Sequence, residues 1–427
     1  MRVLHVTQRY WPAVGGAENY LREISRRLAQ AGHQVTVATT DALDLELFWS
    51  PSRRRIAQTI EEVDGGVVVR RFPVRHTPVP QLSYPAIRRL LWSLSMARPL
   101  STAPLFHLAR LTPWVPDLWR WLATTREPFD LVAGTTICFE PLIEAGLRFA
   151  RRRGIPFVIY PLTHLGAGPQ PGHDSLSRFY TMRHQVALAL ASDAIVAQTP
   201  AERDFYVARG AHPARVLICG PGVTPEEVLG GDGQRFRQRH HIAGPLVVSL
   251  CALSYDKGVV HLVEAARQLW RAGRSLDLVL AGAVLEPFQR YLETLPAADR
   301  QRLHVLGAID DQAKRDLLAA ADVFAMPSRT DSFGIVYLEA WLYRKPVIGA
   351  RTWGVSDVIT DGEDGLLVPF GDMAALAATI ARLLDDLALR QALGECGARR
   401  TLEHHRWERK FELIHDLYMR LSASREP

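Results

Sequence analysis

The sequence predicts an α/β protein built from two doubly wound parallel-sheet domains. Three observations carry that expectation. Short apolar runs alternate with stretches of helical periodicity along most of the chain. The alternation breaks near residue 220, in a polar, Gly-rich stretch, and then resumes. The length of 427 residues suits two or three domains at roughly 100–200 residues each.

The elements follow in order. Residues 3–6 form the first apolar strand, and a loop with Pro12, Gly15 and Gly16 follows. Ala17, Leu21, Ile24, Leu28 and Ala31 trace one face of a helix, which Gly32 ends. Residues 34–39 are the next strand. This βαβ unit implies a parallel sheet. Strands are expected again at 130–134, 156–160 and 194–197. The stretch 223–243 is read as a linker between a first domain, 1–222, and a second, 244–403. In the second domain the strands are 246–250, 276–281, 302–306, 323–326 and 346–349. Helices are expected at 260–270, 311–320 and 337–342.

Composition narrows the class. The chain is 48% hydrophobic and 22% charged, which excludes extensive disorder. It has no uncharged apolar run of about 18–20 residues, so no transmembrane helix is expected. The N-terminus reaches Arg9 too soon for a signal-peptide core. Cys138, Cys219, Cys251 and Cys396 lie far apart without a Cys-x-x-Cys pair. That argues against structural zinc and for a reducing, cytoplasmic setting.

The net charge of +6 is unevenly spread. Residues 1–220 hold 26 Arg and no Lys against 17 acids, a net of +9, and the remainder carries −3. The first half is expected to face an anionic partner. Genome bias toward Arg explains the scarcity of lysine (Lys257, Lys314, Lys345 and Lys410 are the four) but not the difference between the halves. Residues 70–126 hold nine arginines, one acid (Asp117), and Trp92, Trp114, Trp119 and Trp121. Ile87, Leu90, Leu91 and Leu94 share a helix face, with Arg88 and Arg89 elsewhere on the wheel. Two readings stand: a basic amphipathic surface at a membrane interface, or a helical insert, about 73–126, with its Trp residues in the core.

No P-loop, His-Glu-x-x-His or Gly-x-Ser-x-Gly motif is present. The informative stretch is 327–371. It contains Pro-Ser-Arg-Thr-Asp-Ser-Phe-Gly-Ile-Val-Tyr-Leu-Glu-Ala, then Lys-Pro-Val-Ile-Gly, then Gly-Leu-Leu-Val-Pro-Phe-Gly-Asp. It strongly resembles the donor site of the retaining glycosyltransferases of family 4, which have the GT-B fold. Gly15-Gly16-Ala17-Glu18, Pro221-Gly222-Val223, Lys257-Gly258 and a tail with Trp407 and Leu417-Tyr418 extend the resemblance nearly end to end. The resemblance implies two Rossmann-like domains flanking a cleft and a C-terminal helix, 404–427, crossing back to the first domain.

It also implies residue roles. The donor is a nucleoside diphosphate sugar, a co-substrate, with no cofactor and no metal. Phe333, Gly334 and Ile335 open a helix whose unpaired N–H groups suit the diphosphate, and Lys257 supplies a cation to the leaving group. Glu339 binds the ribose hydroxyls, because a carboxylate accepts from two neighbouring hydroxyls. Asp331 stands where the family has Glu and touches the sugar. His164, in Tyr-Pro-Leu-Thr-His, hydrogen-bonds a hydroxyl of the transferred sugar or supports developing charge, and does not attack. Gly15 and Gly16 let the first loop approach the donor phosphate or the acceptor. Three positions depart from the pattern. Ala252 replaces the phosphate-binding Arg, for which Arg329 and Arg351 are the candidate substitutes. Trp353 replaces the first Gly of a Gly-Gly loop, and Asp357 replaces a Glu. The expected function is sugar transfer to a hydroxyl, the acceptor being lipid-linked or phosphorylated, with peripheral contact to an anionic membrane and none to nucleic acid. The rival is a non-catalytic GT-B subunit that binds a nucleotide or glycan, which Ala252 favours.

Overall fold

A computed structural model describes residues 1–63, 65–97 and 101–423. It contains two compact units. The first comprises Met1–His164, Gly172–Gly220 and the chain from Phe411 onward; the second comprises Leu165–Pro171 and Pro221–Lys410.

The first unit holds an eight-stranded sheet. Its strands are β1 (Arg2–Val6), β2 (Gln34–Thr40), β3 (Ile60–Val63), β4 (Val67–Phe72), β5 (Leu131–Thr135), β6 (Phe157–Tyr160), β7 (Ala194–Ala197) and β8 (Val216–Ile218). Their order is β3-β4-β2-β1-β5-β6-β7-β8, and every pair is parallel except β3 with β4. The strand order reverses between β1 and β5, and loops at such a switch point are where α/β sheets place ligands. Gly15–Gly16 lie on the loop after β1 at that point, and His164 follows β6, the strand next to β5.

The second unit holds six parallel strands in the order β11-β10-β9-β12-β13-β14. These are β9 (Leu246–Leu250), β10 (Asp277–Ala281), β11 (Leu303–Gly307), β12 (Val323–Met326), β13 (Val347–Ala350) and β14 (Gly365–Val368). Residues on the two faces of the sheet, such as Val248 and Phe324 on one and Val247 and Ala325 on the other, feed separate apolar cores. Burial on both faces explains why these strands read as continuous apolar runs. The switch point falls between β9 and β12, whose following loops carry Lys257 and Asp331.

The structure differs from the sequence reading in three places. Residues 223–243 are part of the second unit and contain the short helices Pro225–Val228 and Gly233–Arg239. They are bound to it by Asp232 N–H on Asp316 Oδ1 (2.8 Å) and Arg235 on the same carboxylate (2.6 Å). A polar composition looked like a linker because its partners lie more than 80 residues away. Residues 70–72 belong to β4, and the insert proper is the three helices Pro80–Met96, Ala103–Ala109 and Pro116–Thr124.

The third difference is Arg88. It is buried, and its guanidinium lies 2.6 Å from Glu140, which has no exposure. His184 Nε2 (3.0 Å) and Gln185 Nε2 (3.2 Å) reach the same carboxylate. Removing one partner of such a buried pair costs about 3–5 kcal/mol, so Arg88 anchors the helix Pro80–Met96. Arg70, Arg71, Arg75, Arg110 and Arg120 also have carboxylate partners, respectively Glu127, Glu61, Asp117, Glu144 and Asp117. Four of the five acids in these ion pairs, Glu61, Glu127, Glu140 and Glu144, are invisible to a count of residues 70–126 alone. Arg98 lies outside the described residues.

Candidate active site

The loops after β9 and β12 build the most organised cluster of the second unit. The turn Tyr255–Lys257 ends at Gly258, which has φ +76°. A Cβ there would fall 2.2 Å from Pro327 O, so the two loops meet backbone to backbone. Asp256 clamps them further. Its carbonyl accepts from Arg329 N–H (3.0 Å) and its carboxylate from Arg329 Nε (2.9 Å) and Nη2 (2.7 Å). The clamp places Lys257 Nζ 2.7 Å from Asp331 Oδ1. Both side chains are mostly buried, so this pair is less screened than a surface one.

Three residues beyond Asp331, Gly334 is the N-cap of the helix Ile335–Leu342, with φ +88°. A Cβ at Gly334 would meet the Tyr337 ring at 2.5 Å. No side chain caps this helix; Tyr337 N–H donates to Gly334 O (3.1 Å), and the N–H groups ahead of it, at Ile335 and Val336, are those a helix start offers an anion. Phe333 can offer only its backbone to this site. Its side chain is buried and meets the His405 ring edge-on at 5.7 Å. Ile335 is the first helical residue and is partly buried. Glu339 follows on the same helix, and its Oε1 accepts from Lys314 Nζ at 2.9 Å.

The candidate substitutes for the missing Arg are both engaged. Arg329 is held by Asp256 and lies over the Tyr255 and Phe370 rings at 5.7 and 5.1 Å. Arg351 pairs with Asp361 at 2.8 Å. Lys257, like them, stands against a carboxylate, that of Asp331. Burial pushes the thiol of Cys251, beside Ala252, up to about 12. Trp353 has acquired a structural task. Its N–H donates to Gly166 O (3.2 Å) and its indole N–H to Gly168 O (2.9 Å), which ties residues 165–171 to the second unit.

In the first unit, His164 ends a constrained loop. Leu162 has φ +51°, a region a branched side chain enters only at a cost of about 1–3 kcal/mol. Glu202, fully buried, accepts from the backbone N–H groups of Thr163 (2.6 Å) and Gln198 (2.7 Å). The Thr163 hydroxyl lies 2.8 Å from Tyr206 OH. The His164 ring then stacks on Tyr180, with centroids 4.4 Å apart and planes 19° from parallel. Gly15 and Gly16 begin the helix Gly16–Gln30. A Cβ on Gly15 would strike Glu18 Oε2 at 2.1 Å, whereas Gly16 has open space. Glu18 is itself buried, paired with Arg9 (2.8 Å) and hydrogen-bonded by Gln8 (3.2 Å).

The structure thus brings Lys257, Asp331 and the Gly334 helix start onto neighbouring loops of one unit, with Glu339 one turn along. His164 and Gly15–Gly16 sit on loops of the other unit. Sequence reasoning gave no role to Lys314, Asp256, Glu18 or Glu202. In the structure two of the chain's four lysines, Lys257 and Lys314, lie against the two acids of the Asp331-to-Glu339 motif.

Known proteins give the fold and then the family. A sucrose-phosphate synthase from Thermosynechococcus elongatus superposes with TM-score 0.74 at 20% identity, covering 99% of this chain and all of that one. Anabaena HepE, solved with UDP and glucose, superposes with TM-score 0.69 at 20% identity, covering 98% and 99%. Two Rossmann-like units with these neighbours define the GT-B fold. Residues 15–222 match the model of the glycosyl transferase 4-like domain, and residues 232–400 that of the glycosyl transferases group 1. A D-inositol 3-phosphate glycosyltransferase of Catenulispora acidiphila is 28% identical, over 89% of this chain and 84% of its own length. A GDP-mannose-dependent phosphatidylinositol monomannoside mannosyltransferase of Corynebacterium glutamicum is 26% identical over 95% of both. The chain belongs to the family 4 glycosyltransferases, and it is an enzyme of the retaining type.

Proposed function

We propose that this enzyme transfers a hexosyl group from a nucleoside diphosphate sugar to a hydroxyl of a phosphorylated or lipid-linked acceptor, without a metal. The observation that carries the reading is the Lys257–Asp331 pair beside the uncapped helix start at Gly334. As the glycosidic bond breaks, charge builds on the diphosphate. Lys257 and the helix N–H groups meet it, in the place a divalent cation would otherwise occupy. Glu339 accepts from the ribose hydroxyls. Asp331, once Lys257 has turned to the phosphate, accepts from a sugar hydroxyl, and His164 hydrogen-bonds another. The leaving phosphate oxygen takes the acceptor proton on the same face, so configuration is retained and no enzyme nucleophile is used. Both curated relatives act on inositol-based acceptors that carry a phosphate or a lipid, which supports that acceptor class.

Peripheral membrane contact belongs to the same reading. The helix Pro80–Met96 leaves Leu82, Leu90 and Met96 exposed beside Arg89, a face suited to anionic headgroups. No helix among the described residues is long and apolar enough to cross a membrane.

The test is turnover with a panel of nucleotide sugars, read as nucleoside diphosphate released. Lys257→Ala and Glu339→Ala should each lose activity severely with the fold intact, Lys257→Ala by about 2.7–4 kcal/mol of transition-state stabilisation. EDTA should leave the wild type unchanged. Variants within twofold of wild type, or activity abolished by EDTA and restored by Mg²⁺ or Mn²⁺, would overturn the reading.

A further inference from the structure

Lys314 lies on the helix Asp311–Ala320, outside the motifs quoted from the sequence, and reaches across to the neighbouring helix Ile335–Leu342. A lysine on a surface helix normally keeps its ammonium in water. This one is three-quarters buried, with its Nζ 2.9 Å from Glu339 Oε1, and the Glu339 side chain is 12% exposed. Burial alone would lower the Lys314 pKa; the charge and hydrogen bond of Glu339 outweigh it, and Asp311 adds to them while Arg315 opposes, so the net shift is upward. The ammonium stays charged where it stands.

The carboxylate gains something it lacks alone. The last torsion of a Glu side chain is broad, with no sharp staggered well. A single charge-assisted hydrogen bond to one oxygen removes that freedom. It leaves Oε2 in a defined direction, and Oε2 takes no hydrogen bond among the described residues. We propose that Lys314 is a positioning residue: it fixes the Glu339 carboxylate so that Oε2 meets the donor ribose, and thereby sets the preference for ribonucleotides over deoxyribonucleotides. The inference rests on the reading of Glu339 as the ribose ligand.

Donor kinetics are measured for wild type, Lys314→Met, Lys314→Arg and Glu339→Gln. Binding is measured alongside, using the nucleoside diphosphate the wild type holds best and its 2′- and 3′-deoxy forms. Lys314→Met keeps the aliphatic stem and removes the charge. It should raise the donor KM about tenfold, with kcat within about threefold, and lower the ribo-to-deoxy binding ratio toward that of Glu339→Gln. Lys314→Arg should restore much of the ratio. In the double variant the two losses should not add. If Glu339→Gln removes the preference while Lys314→Met keeps it, the Lys314 proposal fails and the ribose reading stands. If Glu339→Gln itself keeps the preference, the ribose reading fails. A fall in kcat at unchanged KM, or fully additive losses, also overturns the role. Should Lys314→Met unfold, judged by circular dichroism, Lys314→Gln takes its place: a lowered ribo-to-deoxy ratio is expected, and a wild-type ratio in the folded variant refutes the role.

Discussion

Lys257 and Asp331 stand 2.7 Å apart, and an arriving diphosphate has to draw the ammonium from the carboxylate. The competition has a measurable sign. Asp331→Asn removes the competing charge, so a nucleoside diphosphate without its sugar should bind about two- to tenfold more tightly, the scale of a partly exposed ion pair. Sugar transfer should fall at the same time, since the sugar loses a charged acceptor. Calorimetric titration checks the first and turnover the second; weaker diphosphate binding would mean that Asp331 supports Lys257 and does not compete with it. Both residues were legible in the sequence because each sits in a short motif of its own, Lys257-Gly258 and the run around Asp331. Lys314 was not legible as a partner of Glu339. The pair is 25 residues apart on two helices, and nothing in either residue's own neighbourhood reports the other.

Helices show the same division at the next scale. The Ile335–Leu342 helix could be placed from its pattern, and its left-handed Gly334 cap explains why glycine stands there. The helix Pro80–Met96 was legible as amphipathic, but the periodicity assigned its faces incorrectly. Leu90 is 49% exposed, whereas Arg88 is buried against Glu140. A wheel orders residues by hydropathy and cannot see a buried carboxylate that makes an arginine an interior residue. The exposed set Leu82, Leu90 and Met96 carries a prediction for this element. Wild type should float with anionic liposomes at low salt and less so at high salt. Leu82→Asp combined with Met96→Asp should remove that flotation while leaving the circular dichroism spectrum unchanged. Equal flotation with anionic and zwitterionic lipid, or double-variant behaviour identical to wild type, would assign the face to solvent. The edge strand β3 escaped notice for a related reason. Glu61 and Glu62 interrupt its apolar character, and its pairing with β4 supplies what its composition lacks.

For the whole molecule, two buried histidines tie stability to pH. In the first unit His5 lies between Ser25 Oγ (2.8 Å) and Tyr418 OH (3.2 Å), and burial lowers its pKa to about 3. In the second unit burial, with Lys410, Arg400 and His404 nearby, lowers His405 to about 3 as well. Each ring is ordinary in the unfolded chain, near pKa 6.5. Between about pH 6.5 and pH 3 the unfolded chain therefore binds more protons, and stability falls as pH falls through that window. The slope should be roughly 1 kcal/mol per pH unit for each ring. Urea unfolding near pH 7 and near pH 5 checks it, and His5→Gln and His405→Gln should each flatten the slope for its own unit. An undiminished slope in both variants would place the linkage in the carboxylates.

Local patterns in the sequence determined the α/β class, most strand positions and the residues of the donor motif. Each rests on interactions within a few residues: alternation of apolar runs, glycine at a turn, an acid at fixed spacing on one helix. Tertiary structure alone decided which charges meet. It set Lys314 on Glu339, Arg329 on Asp256, Arg88 on Glu140 and the former linker on Asp316. A charge's energy depends on the distance to its counter-charge and on the water between them. Chain order specifies neither quantity until packing has brought distant segments together.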